Sequence, residues 1–394
     1  MREGWTYKKL GEVTTTINGL WTGKKPPFIN VAVVRNTNFT KDCKLDMTNV
    51  AYLDVELKQY NSRKLLPGDI IIEKSGGSDK QPVGRPVLFD IPEGEYSFSN
   101  FTSTLRINNA DEIIPQFLHC ALYSAYLRGE TFKLQSKTTG IHNLDFKGYN
   151  RLPIPIPSLS EQQSIVAELD KINELINLKK AQLSDLDNLA QSIFYDMFGD
   201  PIENEKGWEV KKLGELCEIV RGGSPRPINN YLGGDIPWIK IGDATTGDDI
   251  YLHSTKEYII KEGLKKTRYI PTGSLIFANC GVSLGFARII TFKGCIHDGW
   301  LAMMNIKEEK LGKIFLLKSL NFCTQYFRNN APEGTQPNLN TNIMKVFKQI
   351  LPPLSLQQDF AKRIELIEQQ KAQISSTIKD LETLLASRMQ YWFD

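Results

Sequence analysis

The sequence predicts an α+β chain: two mixed α/β blocks separated by two long helices that form an antiparallel coiled coil, with pseudo-two-fold symmetry. Three observations predict it. A set of motifs occurs twice, two apolar ladders at heptad spacing share one phase, and short strand-like runs fill the stretches between them. The 394 residues divide into a first block at 1–158, a helix at 159–198, a second block at 199–353 and a helix at 354–394.

The repeat sets the frame. Gly4-Trp5-Thr6-Tyr7-Lys8-Lys9-Leu10-Gly11-Glu12 returns 203 residues later as Gly207-Trp208-Glu209-Val210-Lys211-Lys212-Leu213-Gly214-Glu215. Leu159-Ser160-Glu161-Gln162-Gln163 returns 195 residues later as Leu354-Ser355-Leu356-Gln357-Gln358, each time after a proline-rich exit. Between these markers the copies diverge.

Within the first block, Phe28 to Val34, Asp69 to Glu73 and Phe101 to Ile107 read as strands. In the second, Ile236 to Ile241, Ser274 to Ala278 and Phe286 to Thr291 do so. All are short, β-branched or aromatic, and bounded by Gly, Pro or Asn. A helical stretch follows in each block, Pro115 to Leu127 and Leu311 to Phe327.

The long helices carry the clearest periodicity. Ser160 is expected to cap the first, with Gln163 closing a capping box. Apolar residues then fall at Ile165, Leu169, Ile172, Ile176, Leu183, Leu186, Ala190, Ile193 and Met197, interrupted by Lys179. The second ladder is Phe360, Ile364, Ile367, Ile374, Ile378, Leu381, Leu385 and Trp392, with Lys371 and Arg388 as charged exceptions. Packing of each helix on its own block is the plainer alternative. The shared phase favours helix against helix, as in a coiled-coil seam. Each helix of roughly 38 residues would be about 55 Å long. Phe198-Gly199-Asp200-Pro201 stops the first. The second must then return antiparallel, which predicts a dumbbell with the blocks at opposite ends.

Composition excludes several function classes. No run approaches the ~18–20 apolar residues of a membrane span, and the first residues lack the apolar core of a secretory signal. Cys43, Cys120, Cys217, Cys280, Cys295 and Cys323 are scattered, with no CxxC pair. That pattern points to free thiols in a reducing cytoplasm and to no metal site. Gly19-Leu20-Trp21-Thr22-Gly23-Lys24-Lys25 resembles a P-loop but is one residue short and lacks the Ser or Thr after Lys. Gly281-Val282-Ser283-Leu284-Gly285 matches the GxSxG pattern, yet a strand and not a helix is expected after it. No Asn-Pro-Pro-aromatic methyltransferase signature is present. No catalytic residue emerges.

Charge points elsewhere. Each block carries 20 Lys+Arg against 16 Asp+Glu, while the helical segments together are net negative by 5. Positive charge on the blocks suits contact with DNA phosphates. Candidate DNA-binding residues lie in polar, glycine-bearing loops. Lys74, Ser75, Lys80 and Arg85 follow the strand at 69–73, and Asn279, Ser283 and Arg288 occupy the matching loop of block two. A second loop before each exit offers Lys137 and Thr139, and Gln336 and Asn338. Lys240 ends a strand. Glycines let backbone approach phosphate, while Asn, Gln, Arg and Lys can reach base edges.

In this layout the chain resembles the specificity subunit of type I restriction–modification systems. The resemblance rests on the GW-x-x-KKLGE block starts, the Leu66-Pro67-Gly68-Asp69 turn, the Leu-Ser-x-Gln-Gln helix starts and Asp196-Met197-Phe198-Gly199-Asp200-Pro201. It implies that the blocks are target recognition domains, each reading half of a bipartite, asymmetric sequence in double-stranded DNA. It implies that the helices set the spacing and dock two methyltransferase subunits, with restriction and motor subunits joining them. No cofactor is then expected on this chain. S-adenosylmethionine, ATP and Mg would belong to the partners, and no catalysis or membrane association is implied. Two other functions are weighed beside it: a protein-only coiled-coil scaffold, and a modification enzyme with an unrecognised site.

Overall fold

The computed structural model describes residues 4–21, 23–78, 81–138, 141–245, 247–331 and 339–394, with backbone alone at 137 and 138. They form two compact units, one of Met1–Asn177 with Lys379–Asp394 and one of Leu178–Ile378. The long helices run Leu159–Phe198 and Leu354–Phe393, so each unit holds one block and a stretch of both helices.

In the first unit, Thr6–Lys9 pairs antiparallel with Pro153–Ile156, which lays the opening motif beside the proline-rich exit. A four-stranded antiparallel sheet has the spatial order Thr14–Asn18, Thr102–Ile107, Asp69–Glu73, Pro86–Phe89. A second sheet orders Ala51–Glu56, Phe28–Val34 and Tyr96–Phe98. Alternate side chains of a strand face opposite ways. Ile70 and Ile72 accordingly join Leu105 and the helical Phe117, Leu118 and Leu122, while Ile71 joins Val34, Val87 and Phe98 of the other layer. A strand covered on both faces reads as an unbroken apolar run.

The second unit repeats the plan. Glu209–Lys212 pairs with Lys348–Leu351. One sheet orders Glu218–Arg221, Trp300–Met304, Leu275–Ala278, Ala287–Ile290 and Tyr251–Leu252. The other orders Glu257–Ile259, Leu232–Ile239, Gly294–Ile296 and Arg268–Ile270. Leu275 and Phe277 pack with Phe315 and Leu316, whereas Ile276 and Ala278 pack with Ile239, Ile296 and Trp300. The helix expected at 311–327 is two, Lys313–Phe322 and Thr324–Asn330. The Thr324 hydroxyl lies 2.7 Å from Asn321 O and 2.8 Å from Gly285 O and shares its one proton between these carbonyls, competing with continued helix at the break.

Within each unit the two helical stretches pack antiparallel. In the first, Glu168 accepts from Arg388 and from Trp392 Nε1 (3.1 Å), and Ile165, Val166 and Leu169 share a core with Met389. In the second, Lys371 meets Asp187 at 2.6 Å, while Phe360 sits 5.5 Å from Phe194 and 5.3 Å from Phe198, ring centre to ring centre. Ile165, Leu169, Ile172, Ile176, Phe360, Ile364, Ile367, Ile374 and Ile378 are buried. Leu183, Leu186, Ile193, Leu381 and Leu385 are half-buried. The plainer alternative also holds in part: Ile165 and Leu169 share a core with Ile70 and Phe117 of the first block, and Phe360 and Ile364 with Phe277 and Phe315 of the second. Phe194 and Phe198, outside the ladder, join Phe360 and Phe315 in the core of the second unit. They widen the apolar stripe because the helix faces a sheet-bearing block as well as another helix.

The cap of the first helix differs from expectation. Ser158, not Ser160, accepts the Glu161 amide (3.3 Å). Gln163 is exposed, and its neighbour Gln162 is the buried residue. Gln162 Nε2 donates to the Glu112 (2.8 Å) and Pro157 (3.0 Å) carbonyls, and its Oε1 accepts from Ile114 N (2.9 Å). Gln357 repeats the pattern with Lys310 O (3.0 Å), Pro352 O (2.8 Å) and Gly312 N (2.8 Å). Gln162→Leu strands three backbone groups, one buried and two part-buried, and should cost about 2–5 kcal/mol. Gln163→Leu, one position on and exposed, should stay within about 0.5 kcal/mol. Denaturant unfolding of both variants checks the contrast, and equal effects would remove the assigned role of Gln162.

Candidate nucleic-acid interface

In each unit several strands run out into loops that hydrogen-bond to one another. In the first, Leu20 N donates to Phe98 O (2.8 Å), Lys74 N and Ser75 N both donate to Phe101 O (2.9 and 3.1 Å), and Asn36 Nδ2 donates to Ser75 O (3.3 Å). The contact at Gly19 is so close that a Cβ there would lie 1.8 Å from the Ser99 carbonyl oxygen. Gly222 is the counterpart in the second unit, where a Cβ would lie 2.1 Å from His297 O. There, Gly223 N donates to Ile296 O (3.0 Å), His297 N to Ile239 O (3.0 Å) and Asn279 N to Gly299 O (3.0 Å).

In the first block the two polar loops, far apart in sequence, meet here. Ser75–Gly77 pairs with Ile141–Leu144, which pairs with Gln135–Thr138, so Lys74, Ser75 and the backbone of Lys137 belong to one patch. Ser75 Oγ donates to Asn143 Oδ1 at 2.6 Å. In the second unit Leu339 N donates to Asn279 O (2.8 Å).

A 3-10 turn follows the strands Phe28–Val34 and Leu232–Ile239. Its first amide is held by a side chain in both: Arg35 N by Asn38 Oδ1 (3.0 Å) and Lys240 N by Asp243 Oδ2 (2.8 Å). The Lys240 ammonium pairs with Glu257 on a half-exposed surface, where such a pair is weak and free to exchange for phosphate. Beside it, burial holds the His297 imidazole below its usual pKa. The Asp298 charge opposes this, and the Lys240 and Arg226 charges add to the depression. Basic groups from two loops, Lys240 and Arg226, therefore gather around a histidine held toward its neutral form.

Three expected DNA contacts prove to be internal. Arg85 is buried, with Nε 2.7 Å and Nη2 3.1 Å from the Glu73 carboxylate and Nη1 3.0 Å from Phe39 O. Arg288 is buried against Asp249 (2.7 Å). Burial works against the Asp249 carboxylate, but the Lys371 hydrogen bond and the Arg288 charge hold its pKa below the usual value. Asn279 is fully buried, and its amide finds no partner among the described residues. In sequence all three look like polar loop residues. The sheet places their side chains inward. Lys80, Thr139, Gln336 and Asn338, and the side chain of Lys137, lie outside the described residues. Lys74, Ser75, Lys240 and Ser283 are half-buried at the loop-bearing ends.

The structure adds residues that sequence reasoning missed. Arg35 is the counterpart of Lys240, and its Nε is buried without a partner among the described residues. Trp21 (66% exposed) and Phe101 stand out from the loops of the first unit, and Arg221 and Arg226 flank Asp298 in the second. The offset between the blocks is 203 at Gly19 and Gly222 but 205 at Arg35 and Lys240, so an ungapped alignment misses this correspondence and only the matching 3-10 turns reveal it.

A family model for the type I restriction modification DNA specificity domain matches twice, at residues 2–188 and 205–383. The chain belongs to this family. As a type I specificity subunit with two target recognition domains, it is similar to the StySPI specificity subunit of Salmonella potsdam, with 25% identity over 92% of this chain and 82% of that one. The EcoKI specificity subunit of Escherichia coli K12 is also 25% identical, over 92% and 82%. The putative MjaX subunit of Methanocaldococcus jannaschii is 22% identical over 97% and 93%. A chain from a structural study of type I assembly and conformational transition shares the fold (TM-score 0.65, 20% identity, 100% and 98% coverage). So does the S subunit from M. genitalium (TM-score 0.53, 15% identity, 100% and 98% coverage). Among the described residues no His, Cys, Asp or Glu cluster could hold a metal, and no helix is long and apolar enough to cross a membrane.

The specificity subunit's loops and its internal ion pairs should separate experimentally. Lys74→Ala should weaken binding to all duplexes and lower the salt slope by about one. Arg85→Ala, which leaves Glu73 buried and unpaired, should cost about 3–5 kcal/mol of stability. A salt series of duplex binding and a thermal melt on both variants read these outcomes. A lowered salt slope for Arg85→Ala with unchanged Tm would return Arg85 to the DNA surface.

Proposed function

We propose that the chain reads a bipartite DNA target, one half-site per block, and docks two methyltransferase subunits and the restriction subunits along its helices without performing chemistry itself. One observation carries this reading. The two blocks share a backbone plan down to the Gly19 and Gly222 contacts, yet present different side chains at the loop-bearing ends. A shared frame with divergent contacts suits an asymmetric target. S-adenosylmethionine, ATP and Mg would be held by the partners.

Base identity then resides in the blocks and the gap length in the helices. Removing one heptad from both helices shortens the spacer by about 10 Å, or about three base pairs. It also turns one half-site around a duplex whose period is about 10–10.5 base pairs. Methylome sequencing of a host carrying the partner subunits should show a changed gap, or no recognition, with both half-sites intact. Exchanging 199–353 for the matching block of a relative should change one half-site and keep the gap. A heptad deletion that rewrote half-site bases would defeat this division of labour.

The helices are also the docking platform. Ile176 is buried in the first long helix, and proline there should cost about 3 kcal/mol or more. Ile176→Pro should abolish assembly with the methyltransferase subunit in native mass spectrometry. Retained assembly would place docking elsewhere.

A further inference from the structure

We infer that Arg35 grips a phosphate of the DNA backbone in the half-site of the first block, while its counterpart in the second block, Lys240, is restrained by an internal carboxylate. This deepens the proposed function and rests on that reading. A position shared by the two blocks, a carboxylate present in only one of them and an unpartnered guanidinium nitrogen carry it together.

The position matches strand by strand. Val33 pairs antiparallel with Ala51 on one side and parallel with Ser97 on the other. Trp238 pairs antiparallel with Glu257 and parallel with Cys295. Val33 and Trp238 are both buried, and two residues on, Arg35 and Lys240 are both half-buried. Each has extended backbone, at φ −122° and ψ 164° for Arg35 and φ −99° and ψ 163° for Lys240, and each opens a 3-10 turn. Residues i and i+2 of an extended chain share a face. Arg35 therefore stands beside the Val33–Ala51 pair as Lys240 stands beside Trp238–Glu257.

The neighbours differ. The Lys240 ammonium pairs with Glu257 and lies 5.9 Å from the centre of the Trp238 ring. Register puts Ala51 where Glu257 stands and Val33 where Trp238 stands, so the first block offers neither the anion nor the ring. Among the described residues the Arg35 guanidinium meets no carboxylate, and its Nε is buried without a hydrogen bond. An N–H closed off from water with no acceptor is costly. Turning the guanidinium fork onto an oxyanion relieves that cost with two parallel hydrogen bonds. The second block shows which acceptor this position takes, an anionic oxygen. In duplex DNA the anionic oxygens are those of the phosphates.

The test uses the full chain assembled with its methyltransferase subunits. Binding to the target that its methylome defines, and to random duplex, is measured over a salt series. Arg35→Ala should weaken both about ten-fold and lower the salt slope by about one. Its Tm should match wild type, because Arg35 has no internal partner to lose. Arg35→Lys keeps the charge and should keep the slope. Ala51→Glu installs the carboxylate of the second block. It should lower the slope of wild type and leave that of Arg35→Ala unchanged. Glu257→Ala releases Lys240 and should tighten binding by up to about five-fold, a gain absent from Lys240→Ala. A lowered Tm with an unchanged slope for Arg35→Ala would show that Arg35 serves the fold. A loss confined to one base pair of the half-site, with the slope kept, would make it a base reader. Ala51→Glu acting equally with and without Arg35 would break the correspondence. Each of these three results overturns the inference. If wild type does not prefer its target over random duplex, the underlying reading of the block falls on wild type alone, and this inference with it.

Discussion

A buried side-chain amide connects each block to its helix. Gln162 and Gln357, 195 residues apart, bond to the same three kinds of backbone group: a carbonyl of the proline-rich exit, a carbonyl in the loop before the block's α-helix, and an amide two residues further on. These groups are buried or part-buried, so leaving them unpaired is costly, and the glutamine supplies their partner. The angle at which helix leaves block is thereby set by hydrogen bonds as well as by apolar packing. The aromatic clusters around Phe194 and around the stacked Trp5 and Trp392 fill the space that this angle leaves.

The blocks show how one frame serves two different surfaces. Close backbone contacts at Gly19 and Gly222, and 3-10 turns at Asn36–Asn38 and Ile241–Asp243, recur in both. These depend on backbone and on absent side chains, so they tolerate divergence around them. What projects outward does not recur. The first block presents Trp21, Lys74 and Phe101, and the second presents Arg221, Arg226 and Val282. The proposed recognition of two unlike half-sites asks for this combination.

Charge in this protein is divided between surface and frame. Arg85 with Glu73, and the chain of Arg288, Asp249, Lys371, Glu368 and Lys318, lie in or beside the cores. Lys371 and Arg388 break the apolar ladders because each has acidic partners waiting: Asp187, Asp249 and Glu368 for one, Glu168 for the other. A buried pair of this kind is costly to break from one side and specifies geometry more than it adds stability. The internal pair of the first block is neutral and leaves its basic excess unchanged, whereas in the second block Arg288 and Lys318 against Asp249 withdraw positive charge from the surface.

By itself, the sequence determined what depends on local periodicity and on repetition. The two long helices, the duplicated plan, the inner strands such as Asp69–Glu73 and the helix Pro115–Leu127 were all legible, because heptads, doubly covered strands and a proline at a helix start leave marks within a few residues. Tertiary structure alone decided which way a loop residue points. Nothing in the sequence around Arg85, Arg288 or Asn279 distinguishes them from Lys74, yet register places the first three inside and the last at the surface. The same holds for Phe194 and Phe198, whose second face is covered by a block formed from distant residues. The exposure of Val282 belongs here too, since its turn is held by Arg328, 46 residues away. Inward and outward are properties of contacts between remote segments, and a sequence carries them only through the fold.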